Sequence, residues 1–311
     1  MVTRVSTVGS YSAVLQNLLA AQARQAEASD QVATQKVGKD LKDYSRHAEM
    51  LTAMRSVQTR LEVYAEQNLM IADKLTTQDA ALNQVTDAAG STRQTILDAL
   101  AAGDAGTLME ELEAQLRNAL EGMNARYGGK YLFAGGQVDT KPVTATKLDD
   151  LFGTPLPAIA GFFKNDNFQT QAKLDDSTVV TTGMLASDLG TEMLTAYQAL
   201  KAFHEGALGP LDGKLTAAQQ SFLESQLGTW ENIRSDLTVL TGRNGLVQRR
   251  VDSVKENLET RSNTLAGMVG DITDADMAKA VTQLQAAQMS VQAAAQVFIT
   301  LQNTSLLNLL Q

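Results

Sequence analysis

Apolar residues recur every three or four positions along two long stretches of the chain. From Met50 to Val85 the steps alternate between four and three, and nine of the eleven positions on this stripe are apolar or aromatic. This pattern predicts a long helix with a coiled-coil seam. From Trp230 to Met268 the same spacing predicts a second long helix that can lie against the first. Asn68 and Gln78 interrupt the first seam; they either fix its register or are simply tolerated, and tolerance is the favoured interpretation.

Both ends of the chain carry apolar stripes without charge. No charged residue occurs from Val5 to Ala23, or after Lys279 to the end of the chain. Each end therefore predicts an amphipathic helix with a neutral polar face. Burying about seven side chains of the C-terminal stripe is worth on the order of 10–20 kcal/mol. Fixing the backbone costs about 1–2 kcal/mol per residue, so such a helix needs a partner. Either the two ends join an ordinary bundle, or they form a pair that assembles with copies of itself.

The composition changes between the two long stretches. GGKYLFAGGQ (residues 128–137) has glycines around a β-prone centre. Three of the four prolines follow it, at positions 142, 155 and 157, together with strand-like runs at 167–174 and 178–184. This segment predicts a small β-rich insert, whereas the flanking regions are free to form long helices.

The predicted order of elements is therefore symmetric about the insert: terminal helix, long helix, β insert, long helix, terminal helix. It predicts a mainly α protein with a small β insert. Long helices from both chain ends pair antiparallel, and the β-rich domain lies at the far tip. The expected domains are residues 1–40 with 270–311, residues 41–133 with 186–269, and residues 134–185.

Charge and cysteine content exclude several classes of function. With 35 acidic and 26 basic residues the net charge is -9, which argues against a nucleic-acid surface. The absence of cysteine excludes disulfides and thiolate metal sites. The N-terminal stretch lacks a continuous apolar core, so no cleavable secretory signal is expected. The C-terminal stretch is too rich in glutamine for a membrane span.

Candidate catalytic and metal-binding residues are few. His47 and His204 have no second ligand at metal-binding spacing. The aspartates at 271, 274 and 276 lack the glycine and closing glutamate of a calcium loop. Thr273 and Asp276 instead suggest a capping box for the terminal helix. We therefore expect no enzyme, no cofactor and no metal site.

Several motifs in this order resemble the flagellin superfamily, and within it the hook–filament junction proteins. They are RVSTVGSY (4–11), GGKYLFAG (128–135), the stretch that begins DITDADMAKAVTQLQ at Asp271, and SLLNLL (305–310). The segment QKVGKDLKDYSRHAE (35–49) departs from the family pattern. The arginine–isoleucine–asparagine signature of filament flagellin is also missing, which counts against a bulk filament subunit.

The resemblance implies a non-enzymatic structural subunit of the bacterial flagellum, located outside the cell at the hook–filament junction. Such a subunit is exported through the flagellar type III apparatus without a cleavable signal. The partners implied are copies of itself, the first junction protein, flagellin, and an export chaperone at the C-terminal helix; no nucleic acid or membrane is expected. Filament flagellin is the alternative within the family, and an intracellular coiled-coil scaffold is the alternative of another class.

The terminal stripes are the expected subunit interface. Its candidate residues are Val8, Tyr11, Leu15, Leu18, Leu19, Leu284, Val291, Phe298 and Leu301.

Overall fold

The computed structural model describes residues 3–307 of the chain, with side chains described from residue 12 to residue 300. Within this range the chain is mainly helical, and both terminal helices and both long helices expected from the sequence are present. The α-helices are α1 (Thr3–Thr34), α2 (Ala48–Ala102), α3 (Leu108–Met123), α4 (Ala186–His204), α5 (Ala217–Thr273) and α6 (Met277–Leu307).

Two short antiparallel strand pairs lie between α3 and α4. They are β1 (Arg126–Tyr127) with β2 (Lys130–Tyr131), and β3 (Gln171–Lys173) with β4 (Val179–Thr181). Gly128 and Gly129 form the turn of the first pair at φ values of 58° and 82°, a conformation that glycine adopts without strain. The segment GGKYLFAGGQ thus contains the turn and second strand of a hairpin. The predicted fold class, mainly α with a small β insert, is confirmed.

The rest of segment 134–185 is irregular backbone with two 3₁₀ turns, Leu148–Leu151 and Ile159–Phe162. Its strand content is confined to β3 and β4. Val143 and Leu151 are fully buried in the same core as side chains from the helices. The segment is therefore held by packing on helices and not by a sheet of its own.

The chain divides into two compact units. Unit 1 comprises Met1–Arg60 and Thr260–Gln311, and unit 2 comprises Leu61–Glu259. Helices α2 and α5 each contribute residues to both units. The finer division into three domains with boundaries near residues 40, 133, 185 and 269 stays a prediction.

Unit 2 has a core of large side chains. Trp230, Tyr197 and Phe133 are fully buried. The rings of Tyr197 and Trp230 meet edge to face with centroids 4.7 Å apart, a favoured geometry for aromatic pairs. The Tyr197 hydroxyl shares a 2.6 Å hydrogen bond with the Thr92 hydroxyl, and burial raises the pKa of Tyr197. The phenol therefore stays protonated and can donate this hydrogen bond.

Helices α2 and α5 run antiparallel in unit 2, as their seams predict. Arg93 of α2 lies 3.2 Å from the carboxylate of Glu231 in α5. Earlier in α2, the Leu75 carbonyl accepts a 3.1 Å hydrogen bond from the Asn244 side chain, which comes later in α5. Gly242 lies in this part of α5, but a Cβ added there would meet no atom within 4 Å. Close packing against another element therefore does not account for this glycine.

The polar residues of the first seam hold the second hairpin on α2. The buried Asn68 amide donates to the Leu174 carbonyl at 3.0 Å. The buried Gln78 amide donates to the Thr182 carbonyl at 3.2 Å and to the Asn244 side chain at 3.1 Å. Both amide nitrogens thus make specific hydrogen bonds in a buried environment, whereas the Asn68 Oδ1 and Gln78 Oε1 atoms are buried without a hydrogen-bond partner. Whether these residues fix the register of the seam or are tolerated in it stays open.

Candidate assembly surface on the terminal helices

Helices α1 and α6 pack as an antiparallel pair through small side chains. Among the side chains that the structure describes, Ala21 and Ala28 are the buried residues of α1, and Ala280 and Ala287 are those of α6. Each pair is seven residues apart, so its two members lie on one face of their helix. Alanine leaves room for the two backbones to approach closely, but it buries little apolar area. The pair is thus closely apposed without a core of large side chains.

On α1, the predicted interface residues divide between two faces. Leu18 is half-buried and lies on the same side of the helix as Ala21. Leu15 and Leu19 are exposed, Leu19 to 56%. Leu19 precedes Ala21 by two residues, which places it about 160° around a helix of 3.6 residues per turn. Leu15 and Leu19 therefore belong to the surface that points away from α6.

On α6, the predicted residues lie on the side that faces α1. Leu284, Val291 and Phe298 are half-buried and share the helix face of Ala280 and Ala287 by their spacing of three, four and seven residues. Their predicted role in contacts between subunits stays a prediction. Val8, Tyr11 and Leu301 lie outside the residues whose side chains the structure describes.

Other apolar side chains of α6 are exposed and were not among the predicted interface residues. These are Met277, Val281, Met289, Val297 and Ile299, all exposed. Met277 and Val281 belong to the apolar stripe that the sequence predicts for this helix, whereas Met289, Val297 and Ile299 are apolar residues that fall off it. After Lys279 no charged residue accompanies them. We refer to these exposed side chains, together with Leu15 and Leu19, as the outer apolar surface.

A groove between α1 and α6 runs beside the alanine seam. It has a volume of about 350 Å³ and is lined mainly by small and polar side chains, among them Ala21, Ala28, Ala286 and Ser290. Arg24 and Glu27 are the charged residues at its edge. The groove and the outer apolar surface therefore leave few charged side chains on the accessible faces of the described part of this helix pair.

The α1–α2 connection is joined to the α5–α6 connection in unit 1. The Val37 N–H donates to the Thr273 carbonyl at 2.8 Å, and the Ala275 N–H donates to the Gln35 carbonyl at 2.9 Å. Lys36 forms an ion pair with Asp274. The hydrogen bond from Lys36 is the main cause that lowers the pKa of Asp274. These contacts keep the start of α6 next to the end of α1.

The segment that departs from the family pattern has a defined structure. It contains a 3₁₀ helix, Leu41–Tyr44, and the Asp43 carboxylate accepts hydrogen bonds from the N–H groups of Lys39 and Asp40, both at 2.9 Å. The bond from Asp40 is the main cause that lowers the pKa of Asp43. The hydroxyl of Tyr44, which is buried, donates to the Gly38 carbonyl at 2.8 Å. This turn is therefore stabilised locally by a carboxylate and a phenol.

The predicted capping box at the start of α6 is only half correct. The Asp276 carboxylate accepts a 3.1 Å hydrogen bond from the Lys279 N–H, as an N-cap residue does. Thr273 takes no part in this cap, because it is the last residue of α5 and is itself buried. Its hydroxyl donates to Asp274 at 3.0 Å. The helix begins three residues later than a cap at Thr273 requires.

The remaining candidate residues show structural roles. The Nδ1 atom of His204 accepts a 3.1 Å hydrogen bond from the Leu211 N–H, and His47 is exposed. Across the described residues, no group of three or more His, Asp or Glu side chains is placed to hold a metal ion. Among the helices that the structure describes, none has a stretch both long and apolar enough to cross a membrane.

Comparison with known proteins agrees with this geometry. Residues 223–310 match the family model of the bacterial flagellin C-terminal helical region. This match covers α5 from Leu223 onward and the whole described length of α6. No curated protein matches the chain.

Solved structures with a similar fold include a proposed flagellar hook-associated protein from Vibrio parahaemolyticus. It is 14% identical, has a TM-score of 0.60, and is aligned over all of its own length and 75% of this chain. FlgL from Bacillus cereus is also 14% identical, with a TM-score of 0.55 over 99% of its length and 70% of this chain. The resemblance to the flagellin superfamily is thereby confirmed, and the chain has the fold of these flagellar proteins.

Proposed function

We propose that the chain is a structural subunit of the bacterial flagellum that joins the hook to the filament. It assembles through α1 and α6, and it is not an enzyme. The observation that carries this proposal is the outer apolar surface, which lies on the two terminal helices. Of these two helices, α6 belongs to the region that matches the flagellin C-terminal family model. A surface of this kind on a folded protein marks a site of association.

The energetics of the helix pair support assembly. The seam between α1 and α6 is built from alanine, which limits the stabilisation that the pair gains within one copy. Covering the outer apolar surface in an assembly would contribute on the order of 5–10 kcal/mol, if each side chain adds roughly half of the 1.5–3 kcal/mol of full burial. Part of this gain offsets the entropy lost on association. The lack of charge also avoids the cost of burying an unpaired ion between subunits.

Neighbouring copies of this chain are the first partners in this proposal. The first junction protein on the hook side, flagellin on the filament side, and an export chaperone at α6 complete the set. The subunit is exported without a cleavable signal and acts outside the cell at the junction. Filament flagellin is the second candidate, because the matching family model is the flagellin C-terminal region. The GGKYLFAG hairpin and the fold shared with hook-associated proteins favour the junction.

Immunogold labelling of intact flagella tests the location. An antibody raised against residues 134–185 is expected to label one band at the distal end of the hook. Label along the whole filament would show filament flagellin instead, and label only inside the cell would show an intracellular scaffold.

Truncation tests the role of α6. A chain that lacks Ser290–Gln311 is expected to remain helical by circular dichroism but to be absent from sheared flagella and to leave cells non-motile. A matched control replaces the exposed Val239 in α5 of unit 2 by serine, which removes an exposed apolar side chain outside α1 and α6. Normal motility with the truncated chain would refute assembly through α6.

A further inference from the structure

Exposed methionines are concentrated in unit 1. Four of the five exposed methionines in the described part of the chain belong to it, namely Met50, Met268, Met277 and Met289; the fifth is Met70 in unit 2. By contrast, Met123 and Met193 in unit 2 are 0% exposed. The chain therefore has both buried and solvent-exposed methionine sulfurs. Most of the exposed ones belong to the unit that contains the terminal helices.

Met289 is the most exposed of these methionines, at 64%. It follows the buried Ala280 by nine residues, which is two and a half turns of an α-helix, so the two side chains point in opposite directions. Met289 thus lies on the outer apolar surface, away from α1. Because it faces solvent, a small oxidant reaches its sulfur without any opening of the fold.

We propose that Met289 is an oxidation site through which a peroxide-class oxidant regulates the assembly of this chain. In the reaction, a sulfur lone pair attacks one peroxide oxygen, an S–O bond forms and the O–O bond breaks. The sulfur is oxidised by two electrons to the sulfoxide, the peroxide is reduced, and the second oxygen leaves as water. No bond within the protein is broken, and a sulfoxide reductase can reverse the change.

The consequence for assembly rests on the proposed function. A sulfoxide is polar and accepts hydrogen bonds, and a polar group that is buried without a partner costs free energy. Within one helical turn of Met289, the exposed amides of Gln285 and Gln292 are the side-chain donors that α6 offers to a sulfoxide. Binding them to the sulfoxide replaces an apolar contact by a polar group, which changes the surface that a neighbouring copy meets. A copy oxidised before assembly therefore loses affinity for its neighbours, whereas a copy already assembled has this sulfur covered.

Peptide mapping tests the modification site. The purified full-length chain is treated with hydrogen peroxide for increasing times, digested, and analysed by mass spectrometry for sulfoxide at each methionine. At early times we expect the sulfoxide fraction at Met289 to exceed that at Met123 and Met193 by about tenfold or more, because oxidation follows exposure. Equal rates at Met289 and at the two buried methionines in the folded chain would overturn the proposal.

A pair of matched double variants tests the effect on assembly. Met277→Leu with Met289→Leu removes both exposed sulfurs from α6 and keeps apolar side chains of similar size. Met70→Leu with Met268→Leu removes two exposed sulfurs from other helices. Association between copies is measured by sedimentation velocity before and after peroxide.

We expect peroxide to lower the association of the wild type and of the Met70/Met268 variant, and to leave the Met277/Met289 variant unchanged. Equal loss in both variants, or no loss in the oxidised wild type, would overturn the regulatory role. If the untreated chain fails to associate at all, assembly through this surface and its regulation are both refuted. The modification site is then still decided by the peptide mapping.

Discussion

The two units of this protein bury their apolar residues in different ways. Unit 2 encloses large side chains such as Trp230, Tyr197 and Phe133 in one continuous core. The terminal helices of unit 1 meet through alanines, while residues such as Leu19 and Met289 remain exposed. Unit 2 thus gains its stability within one chain. The terminal pair leaves several large apolar side chains exposed, as the assembly proposed above requires.

The largest effect is expected from a cavity in unit 2. Trp230→Ala removes a fully buried aromatic side chain and is expected to destabilise the chain by about 3–5 kcal/mol. Urea denaturation followed by circular dichroism measures this loss. Leu246→Ala, at an exposed position of the same helix, is the control and should change stability by less than about 0.5 kcal/mol. Similar losses in both variants would show that unit 2 has no such core.

A larger side chain in the alanine seam should destabilise the terminal helices and leave the rest of the molecule unchanged. Ala287→Leu places three extra carbon atoms between α6 and α1 and is expected to cost about 1–3 kcal/mol. Ala293→Leu makes the same change at an exposed position of α6 and should be nearly neutral. Hydrogen exchange of the α1 and α6 amides compares the stability of the two helices in the Ala287→Leu and Ala293→Leu variants. Unchanged protection in the Ala287 variant would contradict a tight seam.

The buried amide of Asn68 should matter mainly for the second hairpin. Asn68→Ala removes the hydrogen bond to the Leu174 carbonyl and leaves this buried acceptor unpaired, at a cost of about 1–3 kcal/mol. Limited proteolysis is expected to cut residues 169–183 faster in this variant. The exposed Asn83 of the same helix provides the control, Asn83→Ala. Equal cleavage of both variants would show that Asn68 does not hold the hairpin.

The smallest effects concern two surface carboxylates, one in each unit. The hydrogen bond and ion pair with Lys201 lower the pKa of Asp149 in unit 2, and the hydrogen bond from Lys36 lowers that of Asp274 in unit 1. A carboxylate with a lowered pKa stabilises the fold above its ordinary pKa, and this contribution is lost as the pH falls through the lowered value. Both contributions should therefore disappear in acid, below about pH 4.

Salt should distinguish these two pairs in a carboxylate NMR titration. The side chain of Lys201 is 13% exposed, whereas that of Lys36 is 48% exposed. Because salt screens exposed charges more strongly, 0.5 M sodium chloride, on the order of three times physiological ionic strength, should raise the pKa of Asp274 more than that of Asp149. Lys36→Met and Lys201→Met should each return the partner's pKa towards its ordinary value. Equal salt responses would contradict the difference in burial.

Much of the architecture is determined by local sequence. The three-and-four spacing from Met50 and from Trp230 onward identifies the two long helices, because one buried stripe is enough to define a helix. Gly128 and Gly129 identify the first hairpin, since both positions require a positive φ. The absence of charge at both chain ends identifies the terminal helices as elements in need of a partner.

The tertiary structure alone decides which apolar residues of those helices face inward. Leu18 and Leu19 are neighbours of the same type, yet one is half-buried and the other is exposed. Asn68 appears in the sequence as an imperfection of the seam, and only the structure shows that it binds a carbonyl more than one hundred residues away. Thr273 matches a capping motif, but its carbonyl is engaged by Val37 from the other end of the chain. The physical reason is the same in each case: periodicity defines the stripe that a helix can bury, whereas contacts between distant segments determine which part of it one molecule covers and which part it leaves for others.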